Sequence, residues 1–402
     1  MERVRLRVVG SGWAFVRILY HHRIGSKDGQ AVHLEELIAA LRGLGHEVHL
    51  VGPDAFARAS FGHDPKLLAR LKRIIPRAMY ELLELGYNLL AYPRLRRACR
   101  KFRPDIIYER YNLYLLAGIW CKKAFGIPML LEVNAPLAEE RAKFGGLGLR
   151  RLAKSLEGWV WRETDFALPV TNVLADHIRA SGVPDERIRI VHNAINPGDF
   201  ALGIDSSPVE RERNSPDKIA SDGIMLGFTG FVREWHGLEA VLEAIADSEC
   251  VNLHLMVVGD GPAIPQLKEQ VAHLKLADRV MFAGLVERER LPQFVAAFDI
   301  ALLPGCVEYC SPLKLFEYMA AGKAIVAPDQ PNIREILTDD VNCVLFPPGD
   351  YGAMGAAILR LAKNRGLRAR LGASARALVL ARDYTWRNNA ARVSSIAASA
   401  AR

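Results

Sequence analysis

Short apolar runs alternate with amphipathic stretches along most of the chain. Val16, Ile18, Leu19 and Tyr20 predict a strand, and the loop over 21–29 that follows carries Gly25 and Gly29. Val32, Leu34, Leu37, Ile38 and Leu41 then recur at the three- and four-residue steps of one helix face, which Gly43 and Gly45 close. Positions 49–51 read as a strand again. Strand, glycine loop, helix and strand within about 36 residues make a βαβ unit, the building block of parallel sheets. Further strands are expected at 106–108, 129–133, 167–170 and 187–191, with helical stretches between them.

The pattern breaks between Phe200 and Gly223 into a polar stretch rich in Ser, Pro and charge, a domain boundary by composition. A second series then begins, with strands expected at 224–228, 253–258, 280–282, 300–303, 325–327 and 343–346. Its helices are expected at 238–245, 264–274, 291–297, 312–320 and 351–363. That is a complete doubly wound α/β domain, whose ligands belong at the carboxyl ends of the strands. The expected order is an extension over 1–15, a Rossmann-like domain over 16–200, a linker over 201–222 and a second Rossmann-like domain over 223–381. The two face each other across a cleft in this reading, and a helix over 382–402, with Trp386 and alanine spacing, packs at their seam. Val8-Val-Gly-Ser-Gly12 looks like part of a dinucleotide loop, but it lacks a third glycine in phase and counts as extension.

Composition narrows the class. With 402 residues, 50% apolar and 24% charged, the chain can bury two cores, and global disorder is excluded. Its six cysteines form no Cys-x2-Cys pair, which argues against a thiolate zinc site or a disulfide framework and for a reducing, cytoplasmic setting. No apolar run reaches the roughly 18 to 20 residues of a spanning helix, and the start lacks the core of an export signal. The net charge of +8 is concentrated over 66–104, where 11 Lys and Arg meet only Glu81 and Glu84 among interleaved leucines and isoleucines. Such a surface suits an anionic membrane or a polyanionic acceptor, or is an ordinary solvated face. No nucleic-acid docking element accompanies it.

Three segments carry chemistry. In Thr229-Gly-Phe-Val-Arg-Glu-Trp-His-Gly237 a strand gives way to a helix, Gly230 admits close backbone approach, and Arg233 and His236 offer charge or donors to a diphosphate. A second glycine turn holds Gly259 and Gly261. In Ser311-Pro-Leu-Lys-Leu-Phe-Glu-Tyr-Met319, Ser311 is expected as the helix cap and Pro312 as the first helical residue, with Leu313 behind them. Lys314 and Glu317 then share one face, the lysine suited to a diphosphate and the carboxylate to the vicinal hydroxyls of a ribose. A plain surface ion pair is the competing reading.

With these motifs in this order, the chain from about Val16 to Ala391 resembles the retaining glycosyltransferases of family 4, which have the two-domain GT-B fold. Glu317 matches the second Glu of the family signature, which grips the donor ribose. Eight positions earlier stands Tyr309 rather than a carboxylate, with Glu308 one residue out of phase, so the chain resembles the subset with Ser-Pro-x-Lys-x-x-Glu-Tyr-Met. Phe231 and His236 replace the Arg and Lys of the family's first turn, and Arg233 is placed to compensate. The resemblance implies that the loop holding Gly29 approaches sugar-phosphate and acceptor, that Leu285 and Val286 lie near the base, and that Asn193 serves a hinge. It also aligns Asn134 with the family's strand-end His; Glu132, two residues back, points to the same side and is expected, like Glu109, at the cleft rim.

The implied activity is retaining, metal-independent transfer of a sugar from a UDP- or GDP-sugar to a glycan or lipid-linked acceptor, with no further cofactor. Envelope or exported polysaccharide synthesis is the expected setting, with a peripheral position on the inner membrane face through 66–104. Rival readings are a sugar-nucleotide epimerase of the same plan, a phosphorylase and a noncatalytic sugar-nucleotide binder.

Overall fold

The computed structural model describes residues 7–9, 13–24, 29–53, 75–203, 223–248 and 252–400. The loop over 25–28, residues 66–74 of the basic tract and nearly all of the expected linker lie outside them. The chain forms two compact units, the first made of Met1–His192, Tyr309–Ser311 and Trp386–Arg402, the second of Asn193–Glu308 and Pro312–Thr385.

The first unit opens with an antiparallel pair of strands, β1 (Arg7–Val9) and β2 (Trp13–Phe15), within the expected extension. Its elements continue as β3 (Arg17–His21), α1 (Gly29–Gly43), β4 (Glu47–Val51), α2 (Arg77–Gly86), α3 (Asn88–Phe102), β5 (Ile106–Arg110) and α4 (Ala117–Phe125). They end with β6 (Met129–Val133), α5 (Leu137–Glu140), α6 (Arg150–Glu163), β7 (Phe166–Pro169) and α7 (Asn172–Ala180). The parallel sheet runs β4-β3-β5-β6-β7, so strand order reverses between β3 and β5, the place where such sheets bind ligands. Ile18, Leu19, Ile106, Ile107, Leu130 and Leu131 are all buried, as a parallel sheet covered on both faces requires.

One expected strand is not formed. Over 187–191 the chain runs beside β7 with a single bridge, Ile188 to Ala167, although Arg189 and Val191 donate to the carbonyls of Ala167 and Pro169. Pro169 has no N–H to return the bond between those two, so the ladder stays incomplete.

The C-terminal helix (Trp386–Ala400) packs on α1 within this unit. Trp386, Ala390, Val393 and Ala397 form its buried face, and the Trp386 ring meets His33 edge-on at 4.9 Å. His46 ties it in: its Nδ1 accepts from the Val16 N–H, which leaves Nε2 to donate to Ser394 Oγ at 2.6 Å.

The second unit holds β8 (Ile224–Thr229), α8 (Leu238–Ala246), β9 (Leu253–Val258), α9 (Ile264–His273), β10 (Val280–Gly284), α10 (Leu291–Ala296) and β11 (Ile300–Leu302). It continues with α11 (Leu313–Ala320), β12 (Ala324–Pro328), α12 (Pro331–Arg334), β13 (Val344–Phe346), α13 (Tyr351–Ala362) and α14 (Arg365–Ala381). Its parallel sheet runs β10-β9-β8-β11-β12-β13 and reverses between β8 and β11. Alternate residues feed two cores: Leu226, Leu255, Leu302 and Val326 enter one, and Met225, Met256, Ala301 and Ile325 the other. Helix α14 was not anticipated. Asn364-Arg-Gly366 reads as an end signal for α13, but the Asn364 side chain accepts from the Leu367 N–H and starts a new helix.

Candidate functional site: glycine turns and a buried carboxylate

Two glycine turns lie backbone against backbone at the carboxyl ends of β8 and β9. The Gly230 N–H donates to Val258 O at 2.9 Å and the Val232 N–H to Asp260 O at 2.8 Å. Gly259 has φ +133°, and a Cβ there would stand 2.0 Å from Gly230 O. Only glycine permits this approach.

Four predicted side chains converge on these turns. The Lys314 ammonium lies 3.7 Å from the centre of the Phe228 ring, and a Cβ built on Gly230 would be 3.2 Å from its Nζ. The Arg233 guanidinium stacks 4.8 Å from the ring centres of both Phe231 and Trp235. Phe231, which stands at the family's Arg position, thus helps to hold the neighbouring arginine. His236 Nδ1 accepts from the Arg233 N–H at 3.1 Å, which puts the ring proton on Nε2. Burial, then Lys314 and Arg233, push the His236 pKa down to about 2, so this ring is a neutral donor and not a second cation.

Glu317 is buried on α11, three residues beyond Lys314. Thr229 Oγ1 donates to its Oε2 over a long 3.4 Å, while the Thr229 N–H is fixed on Tyr318 Oη at 2.8 Å. Burial raises the Glu317 carboxyl above the usual range, against the pull of Arg288, Lys314 and the Thr229 hydrogen bond. Such a carboxylate is poised to gain from hydroxyl donors. The plain surface pair is excluded by its burial.

The remaining predicted residues of this site separate. Leu285 is exposed and Val286 half-buried just past β10, beside Gly259, whose N–H donates to Gly284 O at 2.8 Å. Helix α11 begins one residue later than expected: Pro312 is the cap residue, Leu313 opens the helix, and no side chain caps it. Pro312, with ψ 121°, turns the chain into the helix, so the expected role of Ser311 as cap is corrected. Ser311 falls with the first unit.

Glu132, Asn134 and Gly29 also belong to the first unit, Gly29 as the first residue of α1. Glu132 is the hub of a buried polar cluster at the sheet's reversal point. Its carboxylate accepts from Arg110, from Asn134 Nδ2 at 2.6 Å, from Tyr108 at 3.0 Å and from Tyr20 at 3.1 Å. Burial alone would raise this carboxyl, but His33, Arg110, Asn134 and Tyr108 outweigh it and hold it below the usual range. Burial brings His33 down to about 4, and its Nδ1 lies 3.3 Å from the Arg110 guanidinium. Beside it, Glu109 pairs with His21, and both are buried.

Glu132 and Glu109 are therefore interior groups, 2% and 0% exposed, and not rim residues. Arg110, Asn134 and the two tyrosines satisfy Glu132, whereas Glu109 is paired with His21 through Oε2 and keeps Oε1 buried without a hydrogen-bond partner. His21, His33, Arg110 and the two tyrosines were not singled out in the sequence. The available signal was polar residues at successive carboxyl-terminal strand positions, where Tyr20 faces Tyr108 and Arg110 faces Glu132 in register.

Comparison with known proteins matches residues 27–199 to the "Glycosyltransferase Family 4" model and residues 223–364 to "Glycosyl transferases group 1". The chain is 26% identical over 212 residues to an amylovoran biosynthesis glycosyltransferase of Erwinia amylovora, covering 51% of this chain and 49% of that one. It is 24% identical to a GDP-mannose-dependent alpha-mannosyltransferase of Mycobacterium tuberculosis, over 89% of each chain. The solved structure of Anabaena HepE in complex with UDP superposes with a TM-score of 0.75 at 17% identity, over 96% of this chain and 100% of that one. The chain thus has the GT-B fold and is related to the family 4 glycosyltransferases.

Proposed function

We propose that the protein is a retaining, metal-independent glycosyltransferase that moves a sugar from a UDP- or GDP-sugar to an acceptor hydroxyl, using the Ser-Pro-x-Lys-x-x-Glu-Tyr-Met form of the family motif. The observation that carries this is Glu317, a buried carboxylate with one long hydrogen bond from Thr229, on the same helix as Lys314 and beside a glycine-tight turn. The ribose hydroxyls donate to Glu317, where removal from water makes charge-assisted bonds strong. Leu285 and Val286 flank the base. The diphosphate meets Lys314, Arg233, the His236 Nε2–H and the N-terminal end of α11.

As the bond from the anomeric carbon to the diphosphate breaks, its electron pair stays with the departing oxygen, and those cations and donors stabilise the growing charge. The acceptor oxygen bonds to the anomeric carbon on the same face and its proton passes to the leaving phosphate. No carboxylate nucleophile is required. Among the described residues no group of three or more His, Cys, Asp or Glu is placed to hold a metal. The family resemblance assigns Asn134, whose Nδ2 donates to Glu132, and Gly29 to the sugar and acceptor. Envelope or exported polysaccharide fits as the setting, a reading supported by the Erwinia relative.

The test is loss of UDP- and GDP-sugars, followed by mass spectrometry with and without acceptor extracts, in the parent and in Glu317→Ala. Replacing the carboxylate weakens donor binding about 10- to 150-fold. Unchanged donor affinity in a folded variant would sink the ribose assignment. An altered sugar nucleotide formed without acceptor would favour epimerisation.

A further inference from the structure

Helix α2 is inverted. Its inward face carries Glu81, which accepts from the Gly148 and Leu149 N–H groups at 2.6 and 2.9 Å and from Tyr114 at 2.8 Å. It also carries Glu84, paired with Arg23 and Arg141. The outward face is apolar: Met79 is 52% exposed, Leu82 53% and Leu83 56%. At the start of α3, Leu89 and Leu90 are 77% and 68% exposed.

The two helices share one screw, because Tyr87 between them keeps helical dihedrals (φ −56°, ψ −25°) and its carbonyl accepts from Leu90 and Ala91. At 3.6 residues per turn, Met79, Leu82, Leu83 and Leu90 therefore continue into Arg94, Arg97, Arg100 and Lys101, all exposed on the same side. Both acids of this stretch face inward, so the stripe holds no carboxylate. Single exposed leucines are ordinary; four with a methionine in one patch, with four cations in line, are not.

We infer that this stripe is where the protein lies on an anionic bilayer, its leucines and Met79 in the acyl boundary and its arginines on lipid phosphates. Arg and Lys stems can lie along apolar surface while their heads reach phosphate. Charge selects this occupant over a second copy of the chain, which would set four cations against four. It is independent of sugar transfer, since it needs only the surface of the first unit.

The experiment is co-sedimentation of the full chain with phosphatidylcholine vesicles and with vesicles containing phosphatidylglycerol, at rising salt. It compares the parent with Arg97→Glu/Arg100→Glu and with Leu82→Ser/Leu83→Ser/Leu90→Ser, each checked for fold by circular dichroism. The parent binds the anionic vesicles and the charge-reversed variant binds them at least about 25-fold more weakly. The serine variant binds at low salt and is released at a lower salt concentration than the parent. Equal sedimentation with both vesicles, none with either, or variants that match the parent would overturn the inference. So would a parent dimer in lipid-free sedimentation velocity that the serine variant abolishes.

Discussion

At the scale of single residues, protonation states decide how the donor site works. His236 titrates near 2 in the folded protein against an ordinary 6.5, through burial and the charges of Lys314 and Arg233. Between those values the unfolded chain takes up a proton that the folded ring refuses, so this group contributes a loss of stability as pH falls below about 6.5. For catalysis the consequence is a neutral Nε2–H donor. The free-enzyme kcat/KM of the parent is expected to show no limb from His236 between about pH 5 and pH 8. His236→Gln, which keeps an N–H near the Nε2 position, should retain more activity than His236→Ala, whose kcat falls about 10²-fold on the loss of one oxyanion-type donor. A parent profile that declines with a midpoint near 6.5 would show that the charged ring is needed.

Elements place these groups, and the turns between β8, β9 and their helices are the least tolerant part of the site. Gly259→Ala drives a methyl into Gly230 O from a backbone of φ +133°, whereas Gly284, at φ +69°, has nothing within 4 Å of where its Cβ would stand. The expected cost at Gly284 is the left-handed backbone alone, roughly 1 to 2 kcal/mol, with donor binding kept. At Gly259 the collision displaces the Gly230 turn, lowers the melting temperature further and weakens UDP binding. Equal effects at the two positions, measured by melting and titration calorimetry, would contradict this packing. Strand periods in the second unit were legible almost to the residue, because buried parallel strands are continuous apolar runs between glycine turns. The Glu317 helix was legible too, since Lys314, Glu317 and Pro312 each carry a positional meaning. The Glu132 cluster was not. Its members come from β3, α1, β5 and β6, and only strand register brings Arg110 to Glu132 and Tyr20 to Tyr108. The basic, leucine-rich surface over 66–104 was legible, but that α2 turns Glu81 and Glu84 inward was not, because their partners Gly148, Leu149, Arg23 and Arg141 come from distant parts of the chain.

At the scale of the whole molecule, the chain leaves the first unit after His192 and returns to it at Trp386, apart from Tyr309–Ser311. The C-terminal helix thus completes the first unit, although it follows the second in sequence. Its buried Trp386 sits against His33, and Ser394 closes the chain of hydrogen bonds through His46 to Val16. The second unit keeps both faces of its sheet covered without that helix, by α8, α9 and α13 on one side and α11 with Ile195 and Phe200 on the other. Removing 386–402 should therefore destabilise only the first unit. Loss of the Trp386 side chain alone is worth roughly 3 to 5 kcal/mol, a large part of the stability of an ordinary domain. Calorimetry of the truncated chain is expected to show one transition lowered or lost and one in place. Because Lys314, Glu317 and both glycine turns lie in the second unit, UDP should still bind the truncated chain and raise the surviving transition. Two transitions that fall together, or UDP that no longer shifts either, would mean that the donor site depends on the first unit for its shape.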